Sequence, residues 1–448
     1  MYAVPVTDPG EGTIGPGRGY GRYAGTAITL PPIVERPARR SVAGCRESSV
    51  PFAQEEPGQR RRPPTRGPST PRRVTLLELF FDLVYVVALA LISRDLAHEI
   101  TWYQAGQSLI LLAAVWWTWV LTSLVTDLYD PERTEIKVLI VTVMLGVLLM
   151  ATAIPKAFGD RGLLFAGAYV AIHLGRGLIL MPTVRGDPMI QRRAARVFCW
   201  FALSAVPWIL GAFVSEDARM ALWLLALGID YLGLRLAYPV PGIGTVPAAQ
   251  LRVTAEHLAE RYQQFYTIAL GDAILVTGVA YSTVHAQAEN SVGFVLAFAT
   301  TLLLWRIYVH KSGELLPLAM KISTVPNRFV KTAPYSHLLM VAGVVTTAAG
   351  FELVLHALPA RTPPAWAAVI LGGPALFLTG RAFFEREVFN RISPSRPGGV
   401  LALVTVAPAV LFLPPLTASL AAMLVLTGVA LADLRRTRTS PPEAPMPP

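Results

Sequence analysis

From Leu76 to Leu434 the chain repeats one pattern: about twenty apolar residues, a polar break, then another apolar stretch. Twelve stretches can be set out, at 76–97, 107–126, 136–155, 162–181, 197–214, 217–236, 264–284, 291–309, 335–357, 365–384, 399–414 and 416–434. A helix rises 1.5 Å per residue, so about twenty residues cross a hydrocarbon core about 30 Å thick. The pattern predicts an all-α fold, a polytopic transmembrane helix bundle of about twelve spans. The last two stretches are short and are divided by Pro414-Pro415. Three segments follow from the same pattern: a tail at 1–73, a membrane domain at 74–434 and a short second tail at 435–448.

The charged residues left between the stretches orient them. With twelve spans and the N-terminus inside, the inner loops hold eighteen Lys and Arg and the outer loops five. Cytoplasmic loops are enriched in Lys and Arg, so this alternation predicts that both termini are cytoplasmic. The tail at 1–73 is rich in Pro, Gly and Arg and poor in apolar residues, a composition that cannot offset the entropy of ordering, so it reads as disordered. Twelve of the 39 Lys and Arg lie in it, ending in Arg60-Arg61-Arg62, Arg66 and Arg72-Arg73. Next to a first span such a cluster suits anionic lipid; it also serves as a plain topology signal.

Composition narrows the function classes. Of 448 residues, 53% are hydrophobic and 15% charged, against about a quarter charged in soluble proteins. The net charge of +10 is accounted for by the tail and the inner loops, so no nucleic-acid partner is expected. Cys45 and Cys199 lie in a polar tail and at the start of a span, an unlikely disulfide. There is no Gly-rich phosphate loop, no H-E-x-x-H and no G-x-S-x-G. No catalytic residue, metal site or cofactor is assigned. An internal repeat is visible: Gly175-Arg176 closes the fourth stretch as Gly380-Arg381 closes the tenth, Pro207 and Pro408 sit alike in the fifth and eleventh, and Asp230 and Asp433 lie near the ends of the sixth and twelfth. Twelve helices could then be two parallel six-helix halves, as in many secondary transporters.

The candidate chemistry lies in ionisable residues inside the stretches, because a charge at the bilayer centre costs about 2.5–3.5 kcal/mol and faces a bundle interior or water. Glu78 and Asp82 stand i,i+4 on one helix face. Arg176, Asp230, Asp272, His337 and Glu352 complete a proton, cation or substrate pathway. Glu78, Asp82 and Asp272 should lie within about 12 Å of the cytoplasmic ends of their helices, with Arg176 at a similar depth, forming one polar interior. Bland alternatives stand beside each: Glu78 wet at the interface, Asp82 or Asp272 paired with Arg176 as ballast, Asp230 beginning a loop, His337 at the interface, Glu352 solvated. Trp116, Trp117 and Trp119 read as packing or belt residues.

The run Leu77-Glu78-Leu79-Phe80-Phe81-Asp82-Leu83-Val84-Tyr85-Val86 resembles the opening signature of the bacterial low temperature requirement A (LtrA) family. Tyr129-Asp130-Pro131, Tyr169 to Gly175-Arg176, Ile229-Asp230-Tyr231, His257-Leu258-Ala259-Glu260-Arg261 with Gly271-Asp272, and His337 to Glu352 are similar in order, over roughly residues 74 to 434. The resemblance implies a multi-pass protein of the bacterial inner membrane and a link to growth in the cold. It supplies no substrate or catalytic residue. The chain departs from the family at Asp272-Ala273, where relatives usually show Glu-Ser.

Together these readings favour a secondary transporter or permease for an unknown small solute, with a carboxylate-lined, proton- or cation-coupled core. A structural or sensory protein tied to membrane state is the alternative, and a membrane-embedded enzyme acting on lipid a second one.

Overall fold

A computed structural model describes residues 74–98, 100–247, 253–285, 287–309, 316, 318–319, 327–356 and 359–439. The tails assigned to 1–73 and to the residues after Thr439 lie outside them, and so does most of the loop after the eighth helix. The described residues form twelve long helices: α1 Leu76–His98, α2 Trp102–Leu128, α3 Thr134–Ala153, α4 Gly162–Thr183, α5 Pro188–Gly211, α6 Glu216–Leu236, α7 Ala255–Thr283, α8 Ala288–Val309, α9 Asn327–His356, α10 Pro364–Phe389, α11 Ser395–Val410 and α12 Pro415–Thr439. Every predicted stretch falls within or largely overlaps one of them. The second tail was set to begin at 435, but α12 continues to Thr439.

Ten of these helices are long and apolar enough to cross a membrane. The others are α6, which carries Glu216, Asp217, Arg219, Asp230 and Arg235, and α11, whose 16 residues reach only about 24 Å. The outward faces support the same reading. In α1 the inward side carries Phe81, Asp82, Tyr85, Leu89 and Ile92, while the outward side exposes Leu76, Phe80, Leu83 and Val87. A helix that is apolar all round needs an apolar solvent on its free face.

Local signals explain the ends. The Thr101 side chain accepts from the Gln104 amide to open α2. Asp187 accepts from the amides of Met189 and Ile190 to open α5, with Pro188 at the first position, where its missing N–H costs nothing. α6 closes on Ala237 (φ 61°) and α10 on Asn390 (φ 55°), both left-handed, the conformation that ends many helices.

The packing repeats. In residues 76–236, α1 packs on α2 and α3, α3 on α4, α4 on α5 and α5 on α6, and α6 returns to α2. In residues 255–439, α7 packs on α8 and α9, α9 on α10, α10 on α11 and α11 on α12, and α12 returns to α8. The halves meet where α1 and α2 touch α7 and α9. Across this seam α1 and α7 run in the same direction, because Asp82 faces Arg261 and, eleven residues on in both helices, Ser93 faces Asp272. This arrangement fits two parallel halves. The tightest helix contact is α9 on α10, where a Cβ on Gly343 would strike the Phe377 backbone and one on Gly380 would lie 2.7 Å from the Met340 nitrogen. Small residues let helix backbones approach this closely.

Candidate functional site

At the end of the bundle where α1 and α7 begin, five ionisable side chains form one buried network. The acidic pair Glu78 and Asp82, one turn apart on α1, faces the basic pair His257 and Arg261, one turn apart on α7. The Arg261 guanidinium grips Asp82 with two nitrogens, at 2.8 Å to Oδ2 and 2.7 Å to Oδ1. Such bidentate, charge-assisted bonds are the strong kind. Trp119 of α2 donates its indole N–H to Asp82 Oδ1 at 2.8 Å, and Arg261 also donates to Ser123 and to the Glu78 carbonyl. His257 lies between two carboxylates, with Nε2 3.2 Å from Glu78 Oε1 and Nδ1 3.1 Å from Asp127 Oδ1. Glu78 further accepts from the Thr75 amide at 2.8 Å, and Asp127 from the Thr254 amide at 3.0 Å. All five side chains are within 2% of full burial.

Glu78 and Asp82 were among the sequence candidates, and Asp127, His257 and Arg261 were not. It set Arg261 in a loop because apolarity begins only after it, and it offered Arg176 as the partner of Asp82 or Asp272. The partner of Asp82 is Arg261. The available signal was the spacing: His257 and Arg261 repeat the i,i+4 step of Glu78 and Asp82 with opposite charge. Trp119 was read as packing, and it is a hydrogen-bond donor to the carboxylate as well.

The remaining candidates do not join this network. Arg176 lies on α4, donating to the Thr122 hydroxyl at 2.8 Å and to His173 Nδ1 at 3.2 Å. Asp230 on α6 accepts from the Tyr169 hydroxyl at 2.7 Å and from the Trp208 indole at 3.3 Å, and its second oxygen has no partner. His337 on α9 is buried, with Nδ1 2.9 Å from the Ala333 carbonyl oxygen and the ring stacked on Tyr262 at 4.1 Å. The expected single polar interior is therefore divided among several helix contacts.

Asp272 needs the largest correction. α7 begins at Ala255, nine residues before the apolar stretch, so Asp272 lies about 25 Å along its helix rather than within about 12 Å of the end. It is fully buried in the seam, where the nearest hydrogen-bonding group is the Ser93 hydroxyl of α1. The groups facing it are Ser93, whose hydroxyl donates to the Ala90 carbonyl, and Glu352 of α9. Glu352 in turn lies 3.8 Å from Arg94. Beyond Arg94 opens a polar cavity of about 630 Å³ bordered by Asp95, His98, Gln107, Lys156 and Glu216. Along the seam, then, a closed ionic network at one end gives way to a buried carboxylate further along, and the cavity beyond Arg94 is lined by first-half residues of α1, α2, α6 and the α3–α4 connection. Among the described residues no group of three or more His, Cys, Asp or Glu side chains is arranged to hold a metal ion.

The family model for the bacterial low temperature requirement A protein matches residues 73–431. An uncharacterized protein of Rhizobium meliloti is 35% identical over 358 residues, which span 79% of this chain and 86% of that protein. No solved structure matches.

Proposed function

The chain belongs to the bacterial low temperature requirement A family, and we propose that it is a secondary transporter whose halves move against each other at the α1–α7 seam, with Asp272 binding the coupling proton or cation. The observation that carries this reading is Asp272 itself: a fully buried carboxylate faced by the Ser93 hydroxyl and by a second carboxylate, Glu352, at the join of two similar halves. A buried carboxylate is costly, and a protein that keeps one has a use for its exchange of a proton or cation. Secondary transporters hold such sites near the midplane between their repeats. The Glu78–Asp82–His257–Arg261–Asp127 network acts as the closed gate at one end, and the cavity bounded by Arg94 and Lys156 is the open approach at the other. With both termini cytoplasmic, the gate is cytoplasmic and the cavity faces outward.

The test is flux in proteoliposomes carrying a trapped pH dye, with a panel of small solutes and an imposed proton gradient. At least one solute is expected to move protons, and Asp272→Asn is expected to slow this about tenfold or more while the protein remains folded. Wild-type vesicles indistinguishable from empty ones across the panel and gradient, or a variant as fast as wild type, refute the proposal.

A second reading is favoured by the dryness of the Asp82–Arg261 pair: the network holds helix register and does nothing else. Under it, Asp82→Asn lowers stability and leaves flux per folded molecule unchanged.

A further inference from the structure

The geometry points to a binding site for a carboxylate in the first half of the bundle, at Arg176. This side chain is 5% exposed, and its polar contacts are the Thr122 hydroxyl, the Thr118 carbonyl and His173. Among the described residues no acidic side chain pairs with it. Burying a guanidinium without a counter-ion costs several kcal/mol, so an anion bound beside it would be stabilising.

Three observations place that anion. Arg176 borders a cavity of about 90 Å³ between α2, α4 and α5, as do His173 and Tyr238. Each of these three residues has a buried polar atom without a partner: Arg176 Nε, His173 Nε2 and the Tyr238 hydroxyl. All three atoms are donors. An arginine can only donate, so His173 Nδ1 accepts from it and the imidazole proton sits on Nε2. The residues are 95% or more buried, and the His173 ring is held flat against Phe201 at 4.2 Å, which fixes the direction of its N–H.

Two guanidiniums border the cavity, Arg176 and Arg193, the latter donating to the Tyr129 hydroxyl at 2.7 Å, together with the three free donors. That favours an anion, and a planar guanidinium edge matches a planar oxyanion. Apart from Arg193 and Tyr129 the rest of the cavity wall is apolar, including Leu121, Leu180 and Phe198. A carboxylate on a short hydrocarbon satisfies both parts. It can arrive as a small free acid or as the head of a fatty acid from the membrane.

The second half supports the assignment by contrast. Arg381, the counterpart of Arg176 in the repeat, has Glu385 one turn further along α10, acting on it electrostatically. One turn beyond Arg176 the first half has Leu180. The acid that is built into one half is absent from the other, and a ligand takes its place.

The test uses the full chain in phosphatidylcholine nanodiscs, with thermal unfolding and calorimetric titration against butyrate, decanoate and inorganic phosphate. Butyrate or decanoate is expected to bind saturably and raise the unfolding temperature, with phosphate without effect. Binding of both acids marks a site filled from water, and binding of decanoate alone a site filled from the membrane. Tyr238→Phe removes one donor and should weaken the carboxylate about tenfold. Leu180→Glu installs the acid of the second half and should abolish the response while raising stability without ligand, which a merely structural Arg176 would not explain. Wild-type protein indifferent to both acids, equal effects of phosphate, or unchanged binding in both variants overturns the site.

Discussion

Replacing Asp82 by Asn tests the seam between the halves. The side chain keeps its size, but Arg261, 1% exposed, loses the carboxylate that holds two of its nitrogens at 2.7 and 2.8 Å. Removing one partner of a buried ion pair costs about 3–5 kcal/mol, because the other charge stays behind without compensation. Two features pull the value toward the lower end. An amide oxygen still accepts one of the guanidinium bonds, and Glu78 supplies a second negative charge next to Arg261. About 3 kcal/mol is therefore expected, as hydrogen bonds to charged groups are worth about 1.5–3 kcal/mol each. The measurement is reversible unfolding in mixtures of dodecylmaltoside and dodecyl sulfate, followed by the fluorescence of the nine tryptophans. Trp119 contacts Asp82 directly and should report the change locally. The double variant Asp82→Leu with Arg261→Met removes both charges together, and buried pairs exchanged for apolar residues of similar size are often neutral or stabilising. Its stability should return close to wild type. A loss under about 1 kcal/mol for Asp82→Asn, or a double variant no better than the single, would show that this pair does not fasten the seam.

Asp272→Leu should have the opposite sign: it removes a buried carboxylate faced by the Ser93 hydroxyl and a second carboxylate, so the same unfolding assay should give a gain of about 1–3 kcal/mol while gradient-driven flux disappears; a loss of stability would mean that the Ser93 contact outweighs the cost of burying the carboxylate. Gly343→Ala drives a Cβ into the Phe377 backbone, and overpacking of this kind should cost about 1–3 kcal/mol in the same titration, with an unchanged midpoint counting against close α9–α10 packing. For orientation, a single cysteine placed at Lys156 in a Cys45→Ser, Cys199→Ser background should react with an impermeant maleimide in intact cells, and one at Arg386 only after permeabilisation; the reverse pattern would turn the topology over.

The helices were legible because each one signals itself through a long apolar run, and this signal does not depend on neighbours. Their ends were not. α5 begins at Pro188 rather than 197, and α7 at Ala255 rather than 264, because the helix runs on through turns carrying Arg193, Arg196, His257 and Arg261. Hydropathy stops at such turns, but backbone hydrogen bonding does not, and the charges are accommodated by partners on other helices. Nine residues at the start of α7 shift Asp272 by about 14 Å, which is why it was expected beside Asp82 and stands near Glu352 instead. Pairing was also hidden. Arg176 was the arginine offered as a partner for the acids in a one-dimensional reading. α4 packs on α2, α3 and α5, whereas Arg261 stands on α7, which packs directly on α1.

The two halves share their helix neighbours but not their ionic wiring, and the difference says which half has been left open. In the second half Arg396 bonds Glu385 at 2.9 Å and Asp433 at 2.9 Å, closing α10, α11 and α12 on their own charges. At the corresponding places in the first half, Asp230 accepts from a tyrosine and a tryptophan, and Arg176 donates to a hydroxyl and an imidazole. Neither has an ionic partner within its own half. The acids of α1 are satisfied across the seam by α7 instead. A bundle built only for strength would have no reason to neutralise one half internally and leave a cation, an acid and Asp272 uncompensated elsewhere, since each costs free energy in a dry interior. Those costs concentrate on one half and on the seam. Installing Leu180→Glu in the first half is then the informative perturbation for the whole arrangement: if it makes the protein more stable and stops flux, the uncompensated charge was kept for the work the bundle does.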